Sequence, residues 1–429
     1  MPLDLAFARS QFPALSDDEG SWIYLDNAGG SQVLGPVADR VRDYLLTSSV
    51  QTGASYGVSA LASERLYAGQ LAVAELVNAS RPEEIVFGPS STVMIQTLAR
   101  AITPALSPGD ELVVSMIDHE ANIGPWLALK AHGIVVRPWQ LNRETMTLEV
   151  SDLELLMTPR TRLVVCTQTS NIFGQLIPIA AVTACAHRHG AVVCVDGVAF
   201  APHRLVDVRE WDVDYYVFSL YKVFGPHHAV LYGKYDRLLG LANLSHHFVP
   251  MDKIPGKLQP GNPNYELSYG ATAIPEYLVA LGERSGATAG ASRRARMAAA
   301  FDAIADHESL LAERLLGWLR GRHDVRVIGP ASSQRSVRVP TISFVVDGID
   351  SERIVRAIDP LRIGIRFGDF YSRRLIEDLG LAAGHGVVRA SFAHYNTLSD
   401  ADRLIAGLEQ AMPRTRRKRS EVPRRREPV

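Results

Sequence analysis

The segments VVCVDGVAFAPH (192–203) and DYYVFSLYKVFGPH (214–227) decide how this chain is read. Each opens as a short run of β-branched and aromatic residues, apolar on both faces as a strand buried within a sheet must be. Each then delivers a polar residue near the strand's C-terminal end, Asp196 in the first and Lys222 in the second. In open α/β sheets that end is where ligands bind.

Working outward, further strands are expected over 84–88, 111–117, 134–141, 162–168 and 229–234, with 191–197 and 214–220 at the centre. Helices are expected over 34–48, 62–79, 91–102 and 178–189, the last closed by Gly190. This alternation predicts an α/β fold whose large domain holds a mostly parallel sheet. Between Tyr232 and Tyr269 the pattern dissolves into PMDKIPGKLQPGNPN (250–264), an excursion or hinge. A long Ala/Arg/Leu helix from 292, strands near 324–328 and 339–347, and a last helix over 399–412 predict a smaller C-terminal α/β domain. The expected division is 1–20 as a segment packing with the small domain, 21–270 as the large domain, 271–412 as the small domain and 413–429 as a basic disordered tail.

The 429 residues carry 45 Lys+Arg against 46 Asp+Glu. The segment 413–429 holds eight basic and two acidic residues, so the rest of the chain stands at −1 − 6 = −7. A mildly acidic body argues against nucleic acid as a partner. Cys166, Cys185 and Cys194 lie in apolar segments and form neither a secreted disulfide framework nor a CxxC zinc site, which points to a reducing cytoplasm. The start MPLDLAFARSQFPAL has no leader pattern, and no apolar run reaches membrane-spanning length. Neither GxGxxG nor GxxxxGK[ST] occurs, so dinucleotide and P-loop readings fall away.

Taken singly, Asp196 also suits a turn cap and Lys222 a snorkelling surface side chain. Together they suit pyridoxal 5'-phosphate, which needs an amine to form the Schiff base and an acid opposite its pyridine nitrogen. Phosphate needs a third element. Ser90-Ser91-Thr92 stands between a strand and a helix, where free N–H groups and hydroxyls bind phosphate, although a plain N-cap explains one serine equally well. Ser219 adds a hydroxyl three residues before Lys222.

In the order YLDNAGG (24–30), SST (90–92), DHEANIGPW (118–126), TSNIFG (169–174), VDG (195–197), FSLYK (218–222) and VRASFAHYNT (388–397), the chain resembles the class V aminotransferase family, fold type I pyridoxal phosphate enzymes, in its cysteine desulfurase-like branch. The resemblance runs from about Arg9 to Met412. It implies that His119 lies over the pyridine ring, Asn171 meets the phenolic oxygen, Asp196 partners the pyridine nitrogen, Ser219, Ser91 and Thr92 hold phosphate, and Lys222 is the Schiff-base lysine. It implies that Arg389 grips the substrate α-carboxylate. Asn27, Arg366 and His247 are further candidate substrate contacts, Arg366 as a second cation in the loop where the desulfurase thiol is missing and His247 by its place in the excursion. A homodimer with shared active sites follows from the same resemblance.

Four departures qualify it. Tyr371, in RFGDFY (366–371), stands where desulfurases carry the nucleophilic cysteine; Tyr221 replaces a histidine; Ala199 replaces a glutamine; and Asn262 replaces a threonine that reaches the partner's phosphate. The expected activity is therefore pyridoxal phosphate chemistry on an α-amino acid other than desulfuration. Side-chain lyase or decarboxylative carbon–carbon bond chemistry, as in similar fungal enzymes, comes first; transamination or epimerisation comes second. A catalytically inactive cofactor binder or an RNA-associated scaffold is the alternative of another class. No metal is expected, because His187 and His189 face different sides of a helix and no acidic partner is apparent.

Overall fold

The computed structural model describes residues 2–15 and 20–412; the basic tail lies outside the described residues. Among the described residues thirteen strands follow one another: β1 (Ile23–Tyr24), β2 (Ile85–Gly88), β3 (Glu111–Ser115), β4 (Val135–Trp139), β5 (Thr161–Thr167), β6 (Val192–Asp196), β7 (Tyr215–Ser219), β8 (Ala229–Gly233), β9 (Val325–Ile328), β10 (Thr341–Val346), β11 (Ile363–Gly364), β12 (Arg366–Gly368) and β13 (Val387–Ser391). Seven of them form one sheet in the order β2-β8-β7-β6-β5-β3-β4. All neighbours in it run parallel except β8, which is antiparallel to both β2 and β7.

Side chains alternate across this sheet with period two, and both faces are dry. Val113, Val164, Cys166, Val193, Val195, Tyr216 and Phe218 face one apolar core, while Leu112, Val114, Leu163, Val165, Cys194, Tyr215 and Val217 face another. Helices cover each side, which is why these strands read as continuous apolar runs in the sequence. The parallel crossovers bring the C-terminal ends of β5, β6 and β7 to one edge.

A second sheet, β12-β13-β10-β9, is antiparallel throughout. Ile342, Phe344, Val388 and Ala390 from it pack with Leu311, Leu315 and Leu319 of the helix Arg293–Arg320 and with Leu404 and Leu408 of the helix Leu398–Ala411. The short β1, which the sequence reading places with the large domain, pairs with β11, and Ile23 and Leu25 join this smaller core. At the N-terminus Phe12 contacts Tyr395, Phe224 and Tyr277 at ring separations of 4.7, 5.7 and 5.8 Å. Among the described residues, no helix is long and apolar enough to cross a membrane.

Candidate active site

Lys222 ends the one-turn 3-10 helix Leu220–Lys222, directly after β7. Its turn is clamped from outside: the Ser31 amide and hydroxyl both donate to the Tyr221 carbonyl at 3.1 Å, and the Phe224 amide donates to the Ser31 hydroxyl at 3.0 Å. Phe224 takes a positive φ of 63° to do so, a strained conformation for a bulky residue and a mark of a constrained site. Lys222 is thereby buried rather than snorkelling, and among the described residues its amine has no hydrogen-bond partner. Burial, helped by the charge of Arg389, lowers its pKa to about 8.

Asp196 is the last residue of β6 and accepts a hydrogen bond from the Val198 amide at 2.9 Å. Burial raises its pKa to about 6, with the backbone bond and Lys222 opposing. Ser90 caps the helix Ser91–Ile102 by accepting from the Val93 amide at 3.2 Å. The capping role thus falls on Ser90 and leaves Ser91 free to meet Ser219, hydroxyl to hydroxyl, at 2.6 Å. Ser91, Thr92, Ser219, Asp196, Lys222, His119 and Asn171 all line one cavity, as do Tyr221 and Ala199.

His119 lies beside Tyr371 with ring centroids 5.1 Å apart. Burial, then the charges of Lys222 and Arg389, push its pKa down to about 4, so the imidazole is neutral at physiological pH. The loop carrying Tyr371 is fastened here: the Glu120 amide donates to the Tyr371 carbonyl at 2.7 Å, and Arg374 grips the Glu120 carboxylate through two bonds of 2.8 and 3.0 Å. Phe370 and Tyr371 both sit at positive φ, 51° and 60°, which turns Phe370 inward.

Arg389, on β13, is buried. It donates to Asp26 at 2.9 Å and to the Asn171 carbonyl at 3.2 Å, and its guanidinium lies 3.7 Å from the Phe370 ring centroid. Among the described residues its Nε has no partner. Asn171 in turn donates to the Phe370 carbonyl at 2.9 Å and accepts from the Ser372 hydroxyl at 2.9 Å. Arg366 reaches Asp26 at 3.5 Å and is more than half exposed.

Three expected contacts lie elsewhere. Asn27 is buried in a joint, donating to the carbonyls of Tyr24 and Ser391 and to Asn396 while accepting from the Tyr395 hydroxyl, so its amide is already spent. His247 is exposed and meets Phe248 edge-on at 5.5 Å. Asn262 borders a separate cavity with Phe87, Val93, His228 and Gln259. The histidines of the helix Ile179–Arg188 and its end do have acidic partners, contrary to the sequence reading: His187 meets Asp214 at 2.8 Å and Asp212 at 3.2 Å, and His189 lies 3.7 Å from Glu154.

Sequence reasoning passed over Asp118, Asp26, Thr169 and Ser31, although the first three stand inside quoted motifs. Asp118 is fully enclosed, sharing a short hydrogen bond with Ser115 and accepting from the Asn122 amide at 2.7 Å. Burial raises its pKa to about 8.

A family model described as Aminotransferase class-V matches residues 23–404. The chain is a member of the class V aminotransferase family. As such it is a fold type I pyridoxal phosphate enzyme of the cysteine desulfurase-like kind, with the large and small α/β domains of that fold. It is 40% identical to the aminotransferase-like protein FGM3 of Gibberella zeae, covering 94% of this chain and 97% of the relative. It is 32% identical to the cysteine desulfurase-like protein ustD of Aspergillus flavus, covering 96% and 91%. The crystal structure of the cysteine desulfurase CsdA from Escherichia coli superposes with a TM-score of 0.79 at 30% identity, covering 96% of this chain and 99% of that one.

The class V family implies pyridoxal phosphate, and the residues present fit it. The cavity holds a buried amine without a hydrogen-bond partner among the described residues, a carboxylate, paired hydroxyls at a helix N-terminus and a neutral imidazole. Thr169 also lines it, with a buried hydroxyl that finds no partner among the described residues. Such an orphaned group is what a polar ligand satisfies.

Proposed function

We propose that this enzyme binds an α-amino acid and carries its chemistry beyond Cα, at the side chain, without passing sulfur to an enzyme thiol. The observation that carries this reading is Tyr371, whose ring stands against His119 in the cleft beside the cofactor cavity, and which by the resemblance takes the place of the desulfurase cysteine. Cys166 and Cys194 are buried strand residues and Cys185 is buried in a helix. Burial raises all three thiols and suppresses their thiolates.

Bound pyridoxal phosphate supplies an electron sink for the bond broken at Cα. Lys222 would hold it and move the Cα proton, a role suited to an amine already disposed to be neutral near pH 8. Asp196 would keep a proton on the pyridine nitrogen, and Ser91, Thr92 and Ser219 would hold the phosphate. His119, neutral and flat, would exclude water from one ring face. Arg389 would orient the substrate α-carboxylate.

Asn262 lines a cavity separate from the Lys222 cavity of its own chain, which supports a homodimer in which it serves the partner's site. A second reading, transamination, is supported by membership of the class V aminotransferase family and by the similarity to the aminotransferase-like protein FGM3. Incubation with an amino-acid panel in deuterium oxide separates the two. Side-chain chemistry gives an altered amino acid with deuterium at Cα, whereas stoichiometric keto acid with pyridoxamine phosphate gives transamination.

A further inference from the structure

The cofactor cavity opens into a second, larger cleft of about 1100 Å³, with Thr92, His119, Ala121 and Tyr221 lining both. One wall is the outward face of the helix Ser91–Ile102, on which Thr92, Gln96 and Arg100 recur at four-residue spacing. The opposite wall runs from His119 to His132. Between them the floor is apolar, with Ala99, Pro125, Ala128, Leu129 and Leu244.

Along this cleft's helix wall the polar side chains Thr92, Gln96 and Arg100 stand one turn apart beside the apolar floor. Among the described residues, Gln96, Arg100 and His132 have no hydrogen-bond or ion-pair partner, whereas the one carboxylate lining the cleft, Glu120, is held by Arg374. A helix rises about 1.5 Å per residue, so Arg100 stands about 12 Å along the axis from Thr92. The cleft therefore offers an apolar passage leading from the reacting centre to an uncompensated guanidinium.

We infer that this cleft is a distal substrate subsite, taking an extended apolar chain that ends in a carboxylate or phosphate held by Arg100, with Gln96 and His132 beside it. The inference rests on the proposed amino-acid chemistry for its direction, since the near end of such a ligand enters the Lys222 cavity. It makes chain length a determinant of specificity. Short amino acids leave the subsite unused; a longer side chain, or a second substrate joined to the side chain, reaches it.

The test uses the cofactor-loaded enzyme and a ladder of ω-carboxylated α-amino acids, from aspartate through 2-aminosuberate to 2-aminododecanedioate, with alanine as the short reference. Binding is read by titration calorimetry, and the cofactor's absorbance is followed in the same samples. The parent should bind the longest members at least tenfold more tightly than alanine. Arg100→Ala and Arg100→Gln should each remove on the order of tenfold from the long members and leave alanine unchanged. Either substitution sits on an exposed helix face, and circular dichroism checks folding. A cofactor absorbance that stays unchanged on binding, with the length-dependent loss intact, would defeat the amino-acid reading and keep the subsite. Equal affinities for parent and variants along the whole ladder, or equal losses for alanine and the long members, would overturn the subsite.

Discussion

Arg366 and Arg389 stand directly opposite one another on the adjacent antiparallel strands β12 and β13, with Asp26 placed between their guanidinium groups. Like charges across a ladder destabilise a sheet, and Asp26 offsets this by meeting Arg389 at 2.9 Å and Arg366 at 3.5 Å. The carboxylate comes from the segment around β1, so the same contact ties the N-terminal chain to the small domain's sheet.

Asp26→Asn should cost about 1–3 kcal/mol of stability, less than a fully buried pair because Asp26 is partly exposed. It should also leave two guanidiniums seeking an anion. Acetate is then expected to raise the melting temperature of the variant more than that of the parent, and equal shifts would show that Asp26 does not occupy Arg389's anion position.

Asp118 is held protonated by burial, with a pKa of about 8 against about 4 when unfolded. Its folded state therefore binds an extra proton between those values, and the stability it contributes declines as pH rises from about 4 and is gone above about 8. Asp118→Asn keeps the hydrogen-bonding shape without titrating, so the stability difference should move in the variant's favour across that window and flatten above it. Asp118→Ala, which strands the Asn122 donor, should cost about 1–3 kcal/mol. Denaturant titrations at several pH values check both, and a pH-independent difference for the asparagine variant would contradict a protonated Asp118.

Lys222 has a folded pKa of about 8, below that of a free lysine, because burial and Arg389 disfavour its charge. The neutral amine is the nucleophile. In protein stripped of cofactor, the rate of pyridoxal phosphate capture should climb through about pH 8 and level off above it. A rate still rising steeply at pH 10 would show an amine with ordinary solvation.

Much of this was legible in the sequence because burial on both faces of a parallel sheet leaves an unmistakable apolar run: VVCVD and YYVFS became β6 and β7, and Asp196 and Lys222 fell at their ends. The grouping of Ser91, Thr92, His119, Asn171 and Ser219 with them followed from motif order. What stayed hidden depends on partners distant in the chain. Asn27 looks free in YLDNAGG but is consumed by Ser391, Tyr395 and Asn396. The acids beside His187 come from positions 212 and 214, and Ser31, far upstream, fixes the lysine turn.

The three cysteines are packing residues, enclosed within two strands and a helix. A thiol reagent such as dithionitrobenzoate should leave the native enzyme unlabelled and active while reacting with all three after unfolding. Stoichiometric labelling of the native enzyme with parallel loss of activity would restore a thiol to the mechanism.

The central claim is that one cavity assembles Lys222, Asp196, His119 and the Ser91–Ser219 pair around pyridoxal phosphate. Borohydride reduction of the purified enzyme, followed by peptide mapping, tests it most directly. The account predicts a stable phosphopyridoxyl label on the peptide containing Lys222 and none after Lys222→Ala; a label on another lysine, or undiminished labelling of the variant, would contradict it.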